Sequence, residues 1–96
     1  MSGITTRERD AIAKAADLFI GLGASRVFLF GSAVNGELRP NSDIDMAVSG
    51  LPPRVYFSAI SQASDLIGRP VDLVDLDDDS GRVRYLRDSG ELVRVG

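Results

Sequence analysis

The sequence predicts one α/β domain of the mixed α+β kind, with helices flanking a small mixed β-sheet. Helical and strand-like segments alternate along residues 1–96, a length that suits one domain with one core. Hydrophobic residues make up 44% of the chain, which is ordinary for a globular protein and too high for a disordered one. The link between the first two strand-like segments is too short for a parallel crossover, so these strands should pair antiparallel.

The first predicted element is an amphipathic helix over residues 6–21. Thr5 and Glu8 form the pattern of a capping box, in which each side chain satisfies a free backbone N–H at the helix start. Apolar residues recur at helical spacing, and glycines at 21 and 23 end the helix. The apolar stripe should pack on a sheet, and its members are Ile12, Ala15, Ala16, Phe19 and Leu22.

Two strands and a short helix are predicted next. Residues 26–30 are β-forming and end at Gly31, after which Ser32 can cap a short helix to about Glu37. A loop containing Pro40 and Asn41 follows, and residues 43–49 form the second strand. The period of a strand places Asp43, Asp45 and Ala47 on one face and Ile44, Met46 and Val48 on the other.

The C-terminal half is predicted to contain two more helices and two more strands. Pro52-Pro53 opens the third helix and Gly68 ends it. Strands are expected over 71–76 and 91–95, with a short helix over 81–88 between them. The apolar stripe of the third helix comprises Tyr56, Phe57, Ile60, Ala63, Ser64 and Ile67.

Composition excludes several classes of function. The formal charge is -3, which argues against broad nucleic-acid binding, because that binding depends on basic residues at phosphates. The chain lacks cysteine and histidine, which excludes disulfides, thiolate or imidazole metal sites and His-dependent catalytic triads. The apolar runs are far too short to cross a membrane, so a soluble cytoplasmic protein is expected.

Gly31-Ser32 and the pair Asp43 and Asp45 form a pattern suited to nucleotide chemistry. Glycine lets backbone N–H groups approach a phosphate, and a serine hydroxyl at a helix start adds a donor. Carboxylates at i and i+2 of a strand lie on one face about 6–7 Å apart, within reach of a paired Mg²⁺ site. Neither feature is specific alone, since Asp-x-Asp can lie on an exposed strand and Gly-Ser can be a plain turn. A Walker A loop is excluded, because no Gly-Lys-Ser/Thr follows.

Asp72 is the third candidate carboxylate. On its strand it shares a face with Val74 and Leu76, where an unpaired charge would be costly. A metal shared with Asp43 and Asp45 would balance that charge, and Asp72 could also act as general base.

The spacing of Gly31-Ser32, ten residues and Asp43-x-Asp45 resembles the signature of the polymerase-beta-type nucleotidyltransferase superfamily. Residues 42–48 and 71–73 are similar to its minimal nucleotidyltransferase (MNT) group. The resemblance implies a polymerase-beta-like fold, two Mg²⁺ ions and ATP, with Ser42 and Arg39 added to Gly31-Ser32 at the nucleotide. It further implies an antitoxin that transfers AMP to a tyrosine of a HEPN-domain RNase toxin and forms a hetero-oligomer with it.

Two positions depart from the family pattern. Relatives often carry a basic residue where Asn35 stands, and a bulky or basic residue where Ala33 stands. Both changes remove phosphate contacts, for which Arg39 could compensate. These departures keep open an antitoxin that acts by binding alone. A small-molecule nucleotidyltransferase is a separate and less favoured alternative, because such enzymes carry extra structure for the acceptor. Arg82, Arg84 and Arg87 are interpreted as a solvated helix face or a surface for a protein partner.

Overall fold

Helices alternate with strands along the chain, as the sequence predicts. The computed structural model describes residues 5–35, 42–78 and 80–96. The elements in chain order are α1 (Thr6–Gly21), β1 (Arg26–Phe30), α2 (Ser32–Asn35), β2 (Ile44–Ser49), a 3-10 turn (Pro53–Val55), α3 (Tyr56–Ile67), β3 (Val71–Asp75), α4 (Gly81–Ser89) and β4 (Val93–Arg94). No helix within these ranges combines the length and the apolar character needed to cross a membrane.

The strands form one mixed sheet in the order β3-β2-β1-β4. β1 pairs antiparallel with β2 and with β4, whereas β2 pairs parallel with β3. The predicted antiparallel pairing of the first two strands is thus confirmed, and α3 supplies the long connection that the parallel pair requires. This arrangement confirms the predicted fold class, a mixed sheet with flanking helices.

The two faces of the sheet are covered by different helices. α1 and α3 pack on one face, and α4 packs on the other through Val83 and Leu86. Alanines are prominent among the buried residues of both α1 and α3, and small side chains allow helix backbones to approach their neighbours closely. The alanines in these two helices with 0% exposure are Ala15, Ala16, Ala59 and Ala63.

The prediction that Phe57 belongs to the apolar stripe of α3 is wrong. Its side chain is 88% exposed. The buried positions of α3 are Ala59, Ala63 and Ile67, which follow one another at intervals of four residues. Phe57 precedes Ala59 by two residues, so it lies on nearly the opposite side of the helix.

The ends of several elements differ by a few residues from the predicted ones. Asp43 lies just before β2 rather than within it, Leu76 lies just after β3, and β4 has two residues instead of the predicted 91–95. The helix after Pro52-Pro53 begins with a 3-10 turn, and its α-helical part starts at Tyr56. The predicted end of α2 at Glu37 and the loop with Pro40 and Asn41 lie outside the described residues.

Candidate active site

The predicted site residues meet at the edge of the sheet where β1 ends and β2 and β3 begin. Asp45 lies opposite Phe30, the last residue of β1, and opposite Asp72 of β3. Gly31 directly follows Phe30, and Asp43 directly precedes β2. Segments that are distant in the sequence therefore converge on the Asp45 carboxylate.

Gly31 makes a tight turn directly after β1 and lies against the Asp45 carboxylate. Its φ of +73° lies in the left-handed region, where only glycine is unstrained. A Cβ atom added here would lie 3.2 Å from the Asp45 carboxyl carbon and would collide with a carboxylate oxygen. Ser32 starts α2, whose first turn is closed by the Val34 N–H donating to the Gly31 carbonyl at 3.0 Å.

Three carboxylates share this edge and influence one another. Burial raises the pKa of Asp45, and the charge of Asp72 raises it further. Arg82 opposes this shift, while the charge of Asp43 adds a smaller increase to the pKa of Asp45. Asp43 itself is exposed and Asp45 is partly buried. The site is therefore an accumulation of negative charge, which a cation would stabilise.

Arg82 also reaches this edge, and the sequence interpretation did not predict that position for it. Its guanidinium donates to Asp72 Oδ2 at 3.0 Å, from the start of α4, where the Ser80 hydroxyl accepts from the Val83 N–H. The side chains of Arg82 and Asp72 are 57% and 44% exposed, so the pair is open to solvent. Arg82 therefore lies at the end of the sheet that carries Asp43, Asp45 and Asp72, called the acidic edge below, rather than on a freely solvated helix face. The one sequence feature that could have predicted the contact with Asp72 is the position of this arginine in the first turn of the helix that follows β3.

Of the two further residues predicted at the nucleotide, Ser42 lies within the described residues and Arg39 does not. Ser42 directly precedes Asp43, and its carbonyl accepts a hydrogen bond from Arg69 Nη1 at 3.2 Å. Arg39 lies outside the described residues, as do the side chains of Ser32 and Asn35. Ala33 is only 5% exposed and packs in the core, so it offers no contact to a phosphate.

The acidic edge has donor chemistry that suits Mg²⁺ in company with a nucleotide. Among the described side chains, no group of three or more acidic residues has a geometry that could hold a metal ion, and Asp72 is paired with Arg82. Mg²⁺ commonly takes only one or two carboxylates and completes its shell with water and substrate phosphates. Asp43 and Asp45 can supply those one or two carboxylates.

The fold and the glycine–carboxylate edge define the class of protein as a nucleotidyltransferase. The chain belongs to the polymerase beta nucleotidyltransferase family, whose model, "Polymerase beta, Nucleotidyltransferase", matches residues 23–93. No protein among the curated sequences shows a significant match.

Among solved structures, the chain is similar to a minimal nucleotidyltransferase and to chains of toxin–antitoxin complexes. A protein described as a candidate minimal nucleotidyltransferase is 28% identical with a TM-score of 0.74, and the match covers 97% of this chain and 98% of that one. A chain of a toxin–antitoxin complex with AMP-PNP is 26% identical with a TM-score of 0.69, covering 91% and 71%. A complex of tri-AMPylated Shewanella oneidensis HEPN toxin with MNT antitoxin matches at 22% identity and a TM-score of 0.61, covering 93% and 69%. The last similarity concerns the fold alone.

Proposed function

We propose that this protein is a Mg²⁺-dependent nucleotidyltransferase antitoxin that transfers AMP from ATP to a tyrosine of a HEPN-domain toxin. One observation carries the proposal: the turn at Gly31 lies against the Asp45 carboxylate, and Asp45 is the neighbour of Asp72 in the sheet. The 26% identity to a chain of a toxin–antitoxin complex with AMP-PNP supports the nucleotide and a toxin as partner. The transfer of AMP to a tyrosine follows from the resemblance of the Gly31-Ser32 and Asp43-x-Asp45 signature to the MNT group.

In this proposal the chain's residues divide between binding ATP and handling the acceptor proton. Asp43 and Asp45 hold Mg²⁺, with Asp72 as a further ligand, and Mg²⁺ when bound neutralises charge on the phosphate oxygens. The backbone after Gly31 cradles the triphosphate, and Ser32, Ser42 and Arg39 are the other proposed contacts.

The reaction is a displacement at the α-phosphorus of ATP. The tyrosine oxygen of the acceptor forms a bond to the α-phosphorus, while the bond from that phosphorus to the bridging oxygen breaks and pyrophosphate leaves. The tyrosine proton passes to the Asp72 carboxylate, acting as general base. Arg82 contacts Asp72 at Oδ2, and the pair is half exposed, so the proton can be taken up at Oδ1.

The proposed acceptor is a partner protein rather than a small molecule. The Asp72–Arg82 pair at the acidic edge is open to solvent, so a protein hydroxyl can approach it. We therefore propose a cytoplasmic hetero-oligomer with the toxin, without direct contact to nucleic acid.

Labelled ATP tests the proposed reaction. Incubation with Mg²⁺ and the HEPN-domain partner should label the partner, and the double variant Asp43→Asn/Asp45→Asn should reduce labelling by at least about 100-fold. The double variant Asp17→Asn/Asp65→Asn removes the same charge from exposed helix positions and should label like wild type. Unchanged labelling by the site variant would refute the assignment.

The second candidate function is an antitoxin that neutralises the toxin by binding alone. The observation that favours it is the buried Ala33, which gives the nucleotide no contact. This candidate predicts that Asp43→Asn/Asp45→Asn still protects cells that express the toxin. Loss of protection with normal complex formation would eliminate it.

A further inference from the structure

The position of Asp43 is set by contacts outside the strand ladder. Asp43 precedes β2, and both of its neighbours are tied to the short link between α3 and β3. The Ser42 carbonyl accepts from Arg69 Nη1 at 3.2 Å, and the Ile44 N–H donates to the Pro70 carbonyl at 2.9 Å. The Asp43 backbone is therefore held between two hydrogen bonds to consecutive residues.

Arg69 is itself fixed by α1. Its Nε donates to the Glu8 carboxylate, and the side chains of both residues are 14% exposed. Glu8 is held by the capping box, in which its backbone N–H donates to the Thr5 hydroxyl at 3.1 Å. The hydrogen bond from Arg69 lowers the pKa of Glu8, so the carboxylate stays charged. A continuous set of polar contacts thus joins the start of α1 to the neighbour of Asp43.

The other two carboxylates do not depend on these contacts. Asp45 lies within β2 and is paired on both sides, with Phe30 and with Asp72. Asp72 lies within β3 in the same ladder. Loss of the Arg69 contacts should release Asp43 while leaving this pair in place.

We propose that Arg69 is a positioning residue that holds Asp43 in register with Asp45 for cation binding. The inference rests on the proposed function, because it assigns Arg69 to the same Mg²⁺ site. The role assigned to Arg69 is indirect, because it acts on Asp43 through the carbonyl of the preceding residue, Ser42. Residues that orient metal ligands in this way typically change metal affinity by about 10–100-fold when they are replaced.

The test compares Arg69→Gln with Asp77→Asn. Asp77 is a matched control because it ties the opposite end of β2 in a similar way, accepting from the Ser49 hydroxyl at 2.8 Å and the Gly50 N–H at 2.6 Å. Mn²⁺ affinity is measured by calorimetric titration with and without the ATP analogue AMP-PNP, and stability is measured by urea unfolding. Arg69→Gln should weaken Mn²⁺ binding by about 10-fold or more, Arg69→Lys should restore part of it, and Asp77→Asn should bind within about 2-fold of wild type at a comparable loss of stability.

Amide hydrogen exchange supplies a readout that needs no metal. Arg69→Gln should accelerate exchange of the Ile44 amide, which donates to Pro70, and should leave the Leu76 amide, which donates to Val48 at 2.8 Å, unchanged relative to global unfolding. Should Arg69→Gln fail to fold, Glu8→Gln removes the charged partner of Arg69 and should give the same changes at smaller size.

The outcomes separate this inference from the function on which it rests. Absence of Mn²⁺ binding by the wild type both with and without AMP-PNP would overturn the proposed function and the inference together. Wild-type binding that is unchanged in Arg69→Gln, or equally weakened in Asp77→Asn, would overturn the role of Arg69 alone.

Discussion

At the scale of single residues, Gly31 is constrained twice, by its backbone and by its neighbour. Its left-handed φ of +73° would strain any other residue, and the Asp45 carboxylate occupies the space that a side chain would need. Gly68 has a similar φ of +77°, but a Cβ atom added there would meet no neighbouring atom within 4 Å. A side chain at Gly68 would cost only the free energy of backbone strain. A side chain at Gly31 would cost that free energy and the displacement of Asp45 as well.

Replacement of each glycine by alanine should distinguish these two costs. Gly68→Ala should lose about 1–2 kcal/mol from backbone strain and keep Mn²⁺ affinity. Gly31→Ala should lose more stability and weaken Mn²⁺ binding by at least about 10-fold, because Asp45 must move. Urea unfolding and calorimetric titration measure both quantities, and equal behaviour of the two variants would show that Asp45 is not displaced.

The sequence predicted those residues of the candidate site that lie in local patterns and missed those that reach it through tertiary contacts. Gly31, Asp43 and Asp45 are separated by a short recognisable interval, and Asp72 was found from the period of its strand. Arg69 reaches Glu8 across 61 positions and Ser42 across 27, and no local period encodes such contacts. Arg39 stays a prediction.

At the scale of elements, α4 brings a positive charge to the acidic edge. The helix packs on its own face of the sheet through Val83 and Leu86, and this packing carries Arg82 to Asp72. An ion pair with both side chains about half exposed contributes little to stability. Its main effect should be competition with any cation that needs the Asp72 carboxylate.

Arg82→Gln should therefore raise Mn²⁺ affinity by about 2–10-fold, because it removes the competitor from Asp72. The free energy of unfolding should change by less than about 1 kcal/mol. Arg54→Gln, at an exposed position of the 3-10 turn, makes the same change in net charge and should have little effect. Weaker Mn²⁺ binding by Arg82→Gln would contradict the competition and indicate that Arg82 assists the bound state.

Helices and strands were predictable because the spacing of apolar residues and the capping residues are local features of the sequence. Which side of each helix is buried was harder to predict. Thr5 and Glu8 form the predicted capping box. Phe57 was misplaced because α3 buries only the narrow row of Ala59, Ala63 and Ile67, and hydrophobicity alone favours the larger side chain of Phe57. The close approach of two helices cannot be inferred from the pattern of one.

At the scale of the whole molecule, the Glu8–Arg69 pair should make stability depend on pH. The hydrogen bond from Arg69 holds the pKa of Glu8 below its ordinary value of 4.5. A lowered pKa in the folded state means that the stabilisation is present above about pH 4.5 and is lost as the pH falls through the folded-state pKa. Asp77 has the same sign, since the Gly50 N–H and the Ser49 hydroxyl lower its pKa.

Glu8→Gln should be less stable than wild type by about 1–2 kcal/mol at pH 7, because the pair is only partly buried. The difference should shrink as the pH falls below about 4.5, as followed by urea unfolding at pH 7, 4 and 3. Asp17→Asn, at an exposed position of α1, serves as control. A difference between Glu8→Gln and wild type that persists at pH 3 would contradict the electrostatic origin.

The parallel pairing of β2 with β3 also bears on when the site forms during folding. Asp45 and Asp72 become neighbours only after the whole of α3 has been enclosed between their strands. Closing such a long segment is slow compared with forming a hairpin or a helix. A cation that binds this pair should then interact mainly with the fully folded chain, so that it slows unfolding while leaving the refolding rate nearly unchanged.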